Sequence, residues 1–425
     1  MIKESPLNSS PPPHPKLPQF KLRFPRFKLY PRLKPHFPKL VVIVLSLIGI
    51  TLYFGAQKFL GDRQFSNLSS AYQQLTASLN QSHTTMADLQ QQLDLLKSRD
   101  EYRINQDLEA ELVNIRETYQ QTVDVYEDLL NLKDQTKNTL TLDQNFAQIL
   151  TLLANRNYAA AAAKLKTLQE DIDKQQTAVA AAFQIPASVA PNNSAPSSGY
   201  QRQRVTTPVG EFLVDIIAAD LGSTRVIVDT AADSDCGNDC PVFSLGDYVA
   251  RNGAFAGVNG SYFCPASYPS CAGKTNSFDL LVMNKNKTYF NSDNNVYSTN
   301  PAVIFGDGWV RFVAHAQEWG RDTGVDGVLS NYPLLVSGGN NVFAGDSDPK
   351  KGSRAGRSFV ASRGSTVYIG VVYNSTVDEA GAALTTLGME YAMNLDSGGS
   401  TALWSGGYKA GPGRNIPNAI LFVGK

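Results

Sequence analysis

The stretch Met393-Asn394-Leu395-Asp396-Ser397-Gly398-Gly399-Ser400-Thr401 decides how the C-terminal half of this chain is read. The apolar run over residues 391–395 has the length and composition of a buried strand, so Asp396 stands where a strand stops and a glycine-rich turn begins. A carboxylate is thereby held at a fixed edge. Gly398 and Gly399 let the backbone come close to a ligand, and the turn's N–H groups, with the Ser400 and Thr401 hydroxyls, make a seat for an anion or for sugar oxygens. A bare Asp-x-Gly-Gly-Ser would by itself read as a capped tight turn, so the surroundings must decide.

Those surroundings alternate short β-type runs with Gly- and Asn-rich turns, at residues 211–219, 225–230, 254–258, 279–283, 302–305, 309–313, 366–373, 391–395 and 419–423. Helical patterning is confined mainly to 244–251 and 377–387. The pattern predicts an α+β domain over residues 205–425, built on a mixed or antiparallel sheet with few helices. All four cysteines lie in it, in two close pairs. Outside a membrane these read as disulfides, Cys236 with Cys240 and Cys264 with Cys271; the rival is a four-thiolate zinc site, which spacings of three and six intervening residues fit poorly. No metal or other cofactor is expected. Asp233, Asp235, Asn238 and Asp239 could coordinate calcium, yet their order and the missing distal Glu depart from a helix-loop-helix motif, and an acidic solvated turn is the simpler reading.

Histidine informs by its scarcity. Only His315 lies in this domain, which excludes a His-rich zinc hydrolase and would rest any Ser-His-Asp triad on that one residue. There is no Gly-x-Ser-x-Gly and no His-Glu-x-x-His. The polar groups left for chemistry are Asp396, Arg354, Arg357, Asn259, Ser400 and Thr401.

Three segments in order then carry a resemblance: Gly257-Val258-Asn259-Gly260-Ser261-Tyr262-Phe263, Ser353-Arg354-Ala355-Gly356-Arg357-Ser358, and residues 387–401 ending in Asp396-Ser397-Gly398-Gly399-Ser400-Thr401. With the closing Arg414-Asn415-Ile416-Pro417-Asn418-Ala419, they resemble the phosphodiester glycosidase family over about half the chain. Ser397 stands where the family has the first glycine of a triplet, and Gly356 where it has proline. The resemblance implies hydrolysis of a sugar-1-phosphodiester, in a glycan or an envelope polymer. A phosphate leaving group needs little protonation, so arginine clamping and one or two carboxylates suffice. On this reading Arg357, helped by Arg354, holds the phosphate and Asp396 acts on the sugar or the attacking water. Asn259, Gly260 and the turn Gly398, Gly399, Ser400 and Thr401 orient the substrate. Asp279 and Glu390 are candidates for a second carboxylate. The alternative is a glycan-binding or scaffolding module without turnover.

The first half is organised differently. Residues 1–39 hold nine Lys or Arg against one acid, and ten of the 22 prolines, which reads as an extended tail with Phe and Tyr interleaved, suited to anionic lipid rather than nucleic acid. An uncharged apolar run follows and predicts one N-terminal transmembrane helix over residues 40–60. A cleaved signal peptide fits less well, because the basic region is long and Phe54-Gly55-Ala56 makes a poor cleavage site. The basic tail then faces the cytoplasm, and all that follows lies outside.

From residue 61 to 136 Leu68, Tyr72, Leu75, Leu79, Met86, Leu89, Leu93 and Leu96 step by four and three, with Ser82 filling the one empty core position, a heptad seam. Steps of four from Leu96 through Asp100 and Ile104 to Leu108 amount to a stutter. The reading is an all-α coiled-coil stalk that makes a homo-oligomer and spans on the order of 110 Å, against an intramolecular hairpin as the rival. Residues 137–183 read as a helical hairpin turned at Asn155-Arg156-Asn157-Tyr158. Residues 184–204, rich in Pro, Ser, Asn and Gln, read as a flexible linker.

Overall fold

A computed structural model describes residues 39–425, so the basic tail, apart from Lys39, lies outside the described residues. The described residues divide into two units, one up to Ile104 and one from Asn105 to Lys425. In the first, helix α1 runs from Lys39 to Lys97 without a break, and among the described residues it is the one helix long and apolar enough to cross a membrane. Its heptad-seam residues stand in the open, Leu68 at 69% and Leu89 at 57% exposure, so nothing among the described residues covers them. The single long helix expected over the stalk is interrupted. A turn at Ser98-Arg99 separates α1 from α2 (Asp100–Gln135), at the start of the four-residue steps where the apolar seam drifts around the helix.

In the second unit the later part of α2 packs with α3 (Leu140–Ala154) and α4 (Tyr158–Ala182). Val125, Leu129 and Leu132 meet Ile149, Leu153, Leu165, Leu168 and Ile172 in a shared core. Leu129 therefore turns inward to its own hairpin. Asn157 caps α4 by accepting the Ala160 N–H at 3.3 Å.

The sheet-rich domain carries three sheets with antiparallel pairings. The largest orders its strands Gly199–Thr207, Gly210–Asp220, Thr366–Ser375, Ala355–Arg363, Tyr391–Asn394, Leu334–Ser337 and Asn340–Asn341. A second orders Tyr408–Ala410, Leu403–Ser405, Ala256–Asn259, Asn418–Gly424 and Thr224–Thr230; a third is centred on Gly327–Ser330. Along Gly210–Asp220, Val214, Ile216 and Ala218 face helix Val377–Thr386, while Ile217 and Ala219 face the core shared by all three sheets. Both faces are covered, which is why the strand reads as an almost unbroken apolar run.

Two sequence expectations need correction. The strand Gly199–Thr207 already begins inside the stretch read as flexible linker, and the residues before it are pinned: Gln203 donates to the Asn192 carbonyl at 2.7 Å and Asn193 to that of Thr206 at 2.9 Å. The side chains of Asn192, Asn193 and Gln203 bind backbone, and Ala195 is buried. Strand Ala355–Arg363, at the centre of the large sheet, was not expected, because it opens on Gly and Arg and carries Ser358 inside.

Candidate functional site

Asp396 sits where one sheet hands the chain to another. Strand Tyr391–Asn394 pairs with Ala355–Arg363, and the chain then leaves: the Leu395 N–H donates to Ser358 O and the Asp396 N–H to Gly260 O, both at 2.9 Å. Gly260 directly follows Ala256–Asn259, the central strand of the second sheet, and a Cβ there would collide with Asn418, whose Oδ1 accepts the Ser261 N–H at 2.8 Å. Only glycine permits that approach.

Asn259 is the keystone. Fully buried, it donates to the Asp396 carbonyl at 2.7 Å, while its Oδ1 accepts from the Ser358 hydroxyl at 2.7 Å and the Ala402 N–H at 3.1 Å. It therefore fixes Asp396 from behind rather than facing a ligand. Behind it Asn331 donates to the Asn394 carbonyl at 2.8 Å and accepts the Tyr262 N–H at 2.9 Å, and Asn394 donates to the Tyr262 hydroxyl at 2.6 Å.

The Asp396 carboxylate is pushed up to about 6. Burial is the main cause, and the Ser400 hydroxyl, Arg414, the Ser397 N–H and Arg357 pull it back only in part. A carboxyl poised there exchanges protons near neutral pH. The turn begins with the Ser397 N–H donating to Asp396 Oδ1 at 2.8 Å, and Gly398 takes φ +62°, a left-handed conformation that suits glycine. Thr401 donates its hydroxyl to the Gly356 carbonyl at 3.0 Å, away from Asp396.

The two arginines of the motif do other work. Arg357 is buried and spends its guanidinium on the carbonyls of Ser375, Lys350, Lys351 and Ser353, so burial holds its pKa below the ordinary value and it reaches Asp396 only through space. Arg354 pairs with Glu379 and donates to the Asn374 carbonyl. Arg357→Ala should cost about 2–3 kcal/mol of stability by orphaning those carbonyls, whereas Arg354→Ala should cost less than about 1, and urea melts separate the two.

The cation that sequence reasoning left out of the site is Arg414. Its backbone N–H donates to Gly399 O at 2.8 Å, which brings its guanidinium over the glycine turn, with the Tyr268 ring 5.3 Å away. Burial opposes its charge, but Tyr268, Asp134 and Asp396 outweigh this and hold its pKa above the ordinary value. Tyr268 lies on the loop closed by the Cys264–Cys271 disulfide; Cys236 and Cys240 form the second bridge. The signal for Arg414 was its place in the closing motif segment. Glu390 is remote, at the far end of strand Tyr391–Asn394, where it accepts the Gly364 N–H. Asp279 is exposed and acts on Tyr332 through space. In the acidic loop, Asp235 accepts the Asn291 N–H and Asn238 the Thr275 N–H, both at 2.8 Å. Among the described residues no three His, Cys, Asp or Glu converge as a metal cluster would. A cavity of about 400 Å³ opens beside the turn, lined by Gly398, Thr401, Gly356, Asp134, Tyr373 and Lys409 among others.

No curated protein matches the chain. Among solved structures it is similar to a hypothetical protein from Synechocystis (14% identity, TM-score 0.38, covering 53% of this chain and 62% of that one). It is also similar to the zebrafish N-acetylglucosamine-1-phosphodiester alpha-N-acetylglucosaminidase catalytic domain, auto-inhibited by its pro-peptide (13% identity, TM-score 0.41, covering 55% and 85%). The chain thus spans less than two thirds of the Synechocystis protein. Residues 252–423, within the C-terminal half of the chain, match the family model for phosphodiester glycosidase.

Proposed function

We propose that this domain hydrolyses a sugar-1-phosphodiester, with Asp396 as the group that handles the proton. The observation that carries the reading is a carboxyl pushed up to about 6 beside a guanidinium, at the mouth of a glycine turn. Water's oxygen bonds to the anomeric carbon as Asp396 takes its proton; the bond from that carbon to the phosphate oxygen breaks, and the phosphomonoester leaves with the electron pair. Arg414 is the cation best disposed toward the departing charge, while Arg357 and Asn259 hold the frame. The test is release of free sugar from a panel of sugar-1-phosphodiesters by the full chain. Turnover lost in Asp396→Asn supports the reading; saturable glycan binding without turnover would replace it by a binding module.

The helical half suggests a tethered enzyme. The apolar start of α1 is read as a membrane span, with the basic tail inside and the domain outside, in contact with lipid and with envelope glycans. The exposed heptad seam of α1 supports self-association as a coiled coil. Leu79→Asp with Leu89→Asp should reduce the oligomer to a monomer in analytical ultracentrifugation, and an unchanged mass would end that reading.

A further inference from the structure

Helix α2 presents Glu127, Asn131 and Asp134 at spacings of four and three, which puts them on one face. Each is taken up by the rim of the site. Glu127 accepts the Ser270 N–H at 3.1 Å and lies 3.8 Å from Lys350 Nζ; Asn131 accepts the Tyr268 hydroxyl; Asp134 accepts from Arg414 at 2.7 Å. The opposite face, with Val125, Leu129 and Leu132, belongs to the helical core. One helix is thus fastened by its apolar side to the hairpin and by its polar side to the candidate site.

The position of Asp134 is telling. A Cβ on Gly399 would collide at once with Arg414 Nη2 and with Asp134 Oδ2, so the carboxylate lies against the turn in the space that a ligand of Arg414 and Gly399 must enter. Against it are Arg414 and the backbone of the turn, and the Tyr268 ring that Arg414 covers also carries Lys350; guanidinium, ammonium and backbone N–H are the donors that an oxyanion uses. An aspartate is the smallest imitation of such an anion. The pair is also open to water, with Asp134 at 41% and Arg414 at 21% side-chain exposure, and ion pairs of that kind are weak and screened by salt. A competing anion can displace it.

We propose that Arg414 over the Gly399 turn is the seat for the substrate's phosphate, and that Asp134 of helix α2 occupies it at rest as a built-in competitor. This rests on the phosphodiester reading above but is tested without turnover. Inorganic phosphate is titrated calorimetrically into the full chain at low ionic strength. Asp134→Asn keeps the shape and removes the charge, and should tighten phosphate binding by about tenfold or more; Arg414→Ala should abolish it, and Asp134→Asn should not restore it in the double variant. Glu127→Gln, farther from the turn, should change it less than threefold. Equal phosphate affinity in Asp134→Asn and the parent chain overturns the proposal, as does binding that survives Arg414→Ala. Arg414→Lys, with its fold checked by circular dichroism, separates loss of the seat from loss of structure. Phosphate binding that follows this pattern while no sugar is released would leave the seat standing and remove only the glycosidase reading.

Discussion

Asp396→Asn should lower turnover about 10³-fold, roughly 4 kcal/mol of transition-state stabilisation, with little change in substrate affinity, because the amide keeps the shape and loses the proton acceptor. Steady-state kinetics on the full chain would separate the two parameters. In the parent chain kcat/KM should rise with pH to a plateau above about 6, where the carboxylate is ionised. The stability effect has the opposite sign. The folded pKa lies above the ordinary 3.8, so the fold favours the protonated form, and stability is lost as pH climbs from about 4 through about 6. Asp396→Asn should therefore melt higher than the parent above pH 6 and nearly alongside it at pH 4. A variant that is inactive and less stable at every pH would mean that Asp396 serves the fold alone.

Asn259→Ala should be the most destabilising single change in the site. It strands the Asp396 carbonyl, the Ser358 hydroxyl and the Ala402 N–H in the interior, at about 1–3 kcal/mol for each unsatisfied group. Allowing for relaxation, about 4 kcal/mol is expected, a large part of the 5–15 kcal/mol typical of a domain. The urea midpoint should fall with its slope unchanged, and activity should fall with it because Asp396 loses its rear support. Preserved activity in the fraction that remains folded would show that the backbone bonds of Asp396 to Gly260 and of Leu395 to Ser358 hold the carboxylate without Asn259.

Much of this was legible from local pattern. The end of strand Tyr391–Asn394 could be read because an apolar run meets a glycine turn, and the cysteine pairing because the partners are close in sequence. Strand Ala355–Arg363 was hidden by polar residues whose partners lie elsewhere: Ser358 is tolerable inside only because Asn259, 99 positions away, accepts its hydroxyl. Arg357 read as a phosphate clamp because an isolated sequence gives no account of the carbonyls it holds. Asp134 and Arg414 are 280 positions apart, and neither helix periodicity nor strand alternation announces that they meet.

The keystone at Asn259 has a consequence for how the molecule opens. Its bonds tie strands of two sheets to the chain at Asp396, so the amide of Ala402 can meet deuterium only when the sheets themselves part, and its exchange should report global unfolding. The α2 contacts are polar and partly wet, and the amide of Ser270 beneath Glu127 should exchange through a smaller opening. Deuterium uptake would then resolve two layers in one domain: a slow floor that carries the carboxylate and a quicker cover above it.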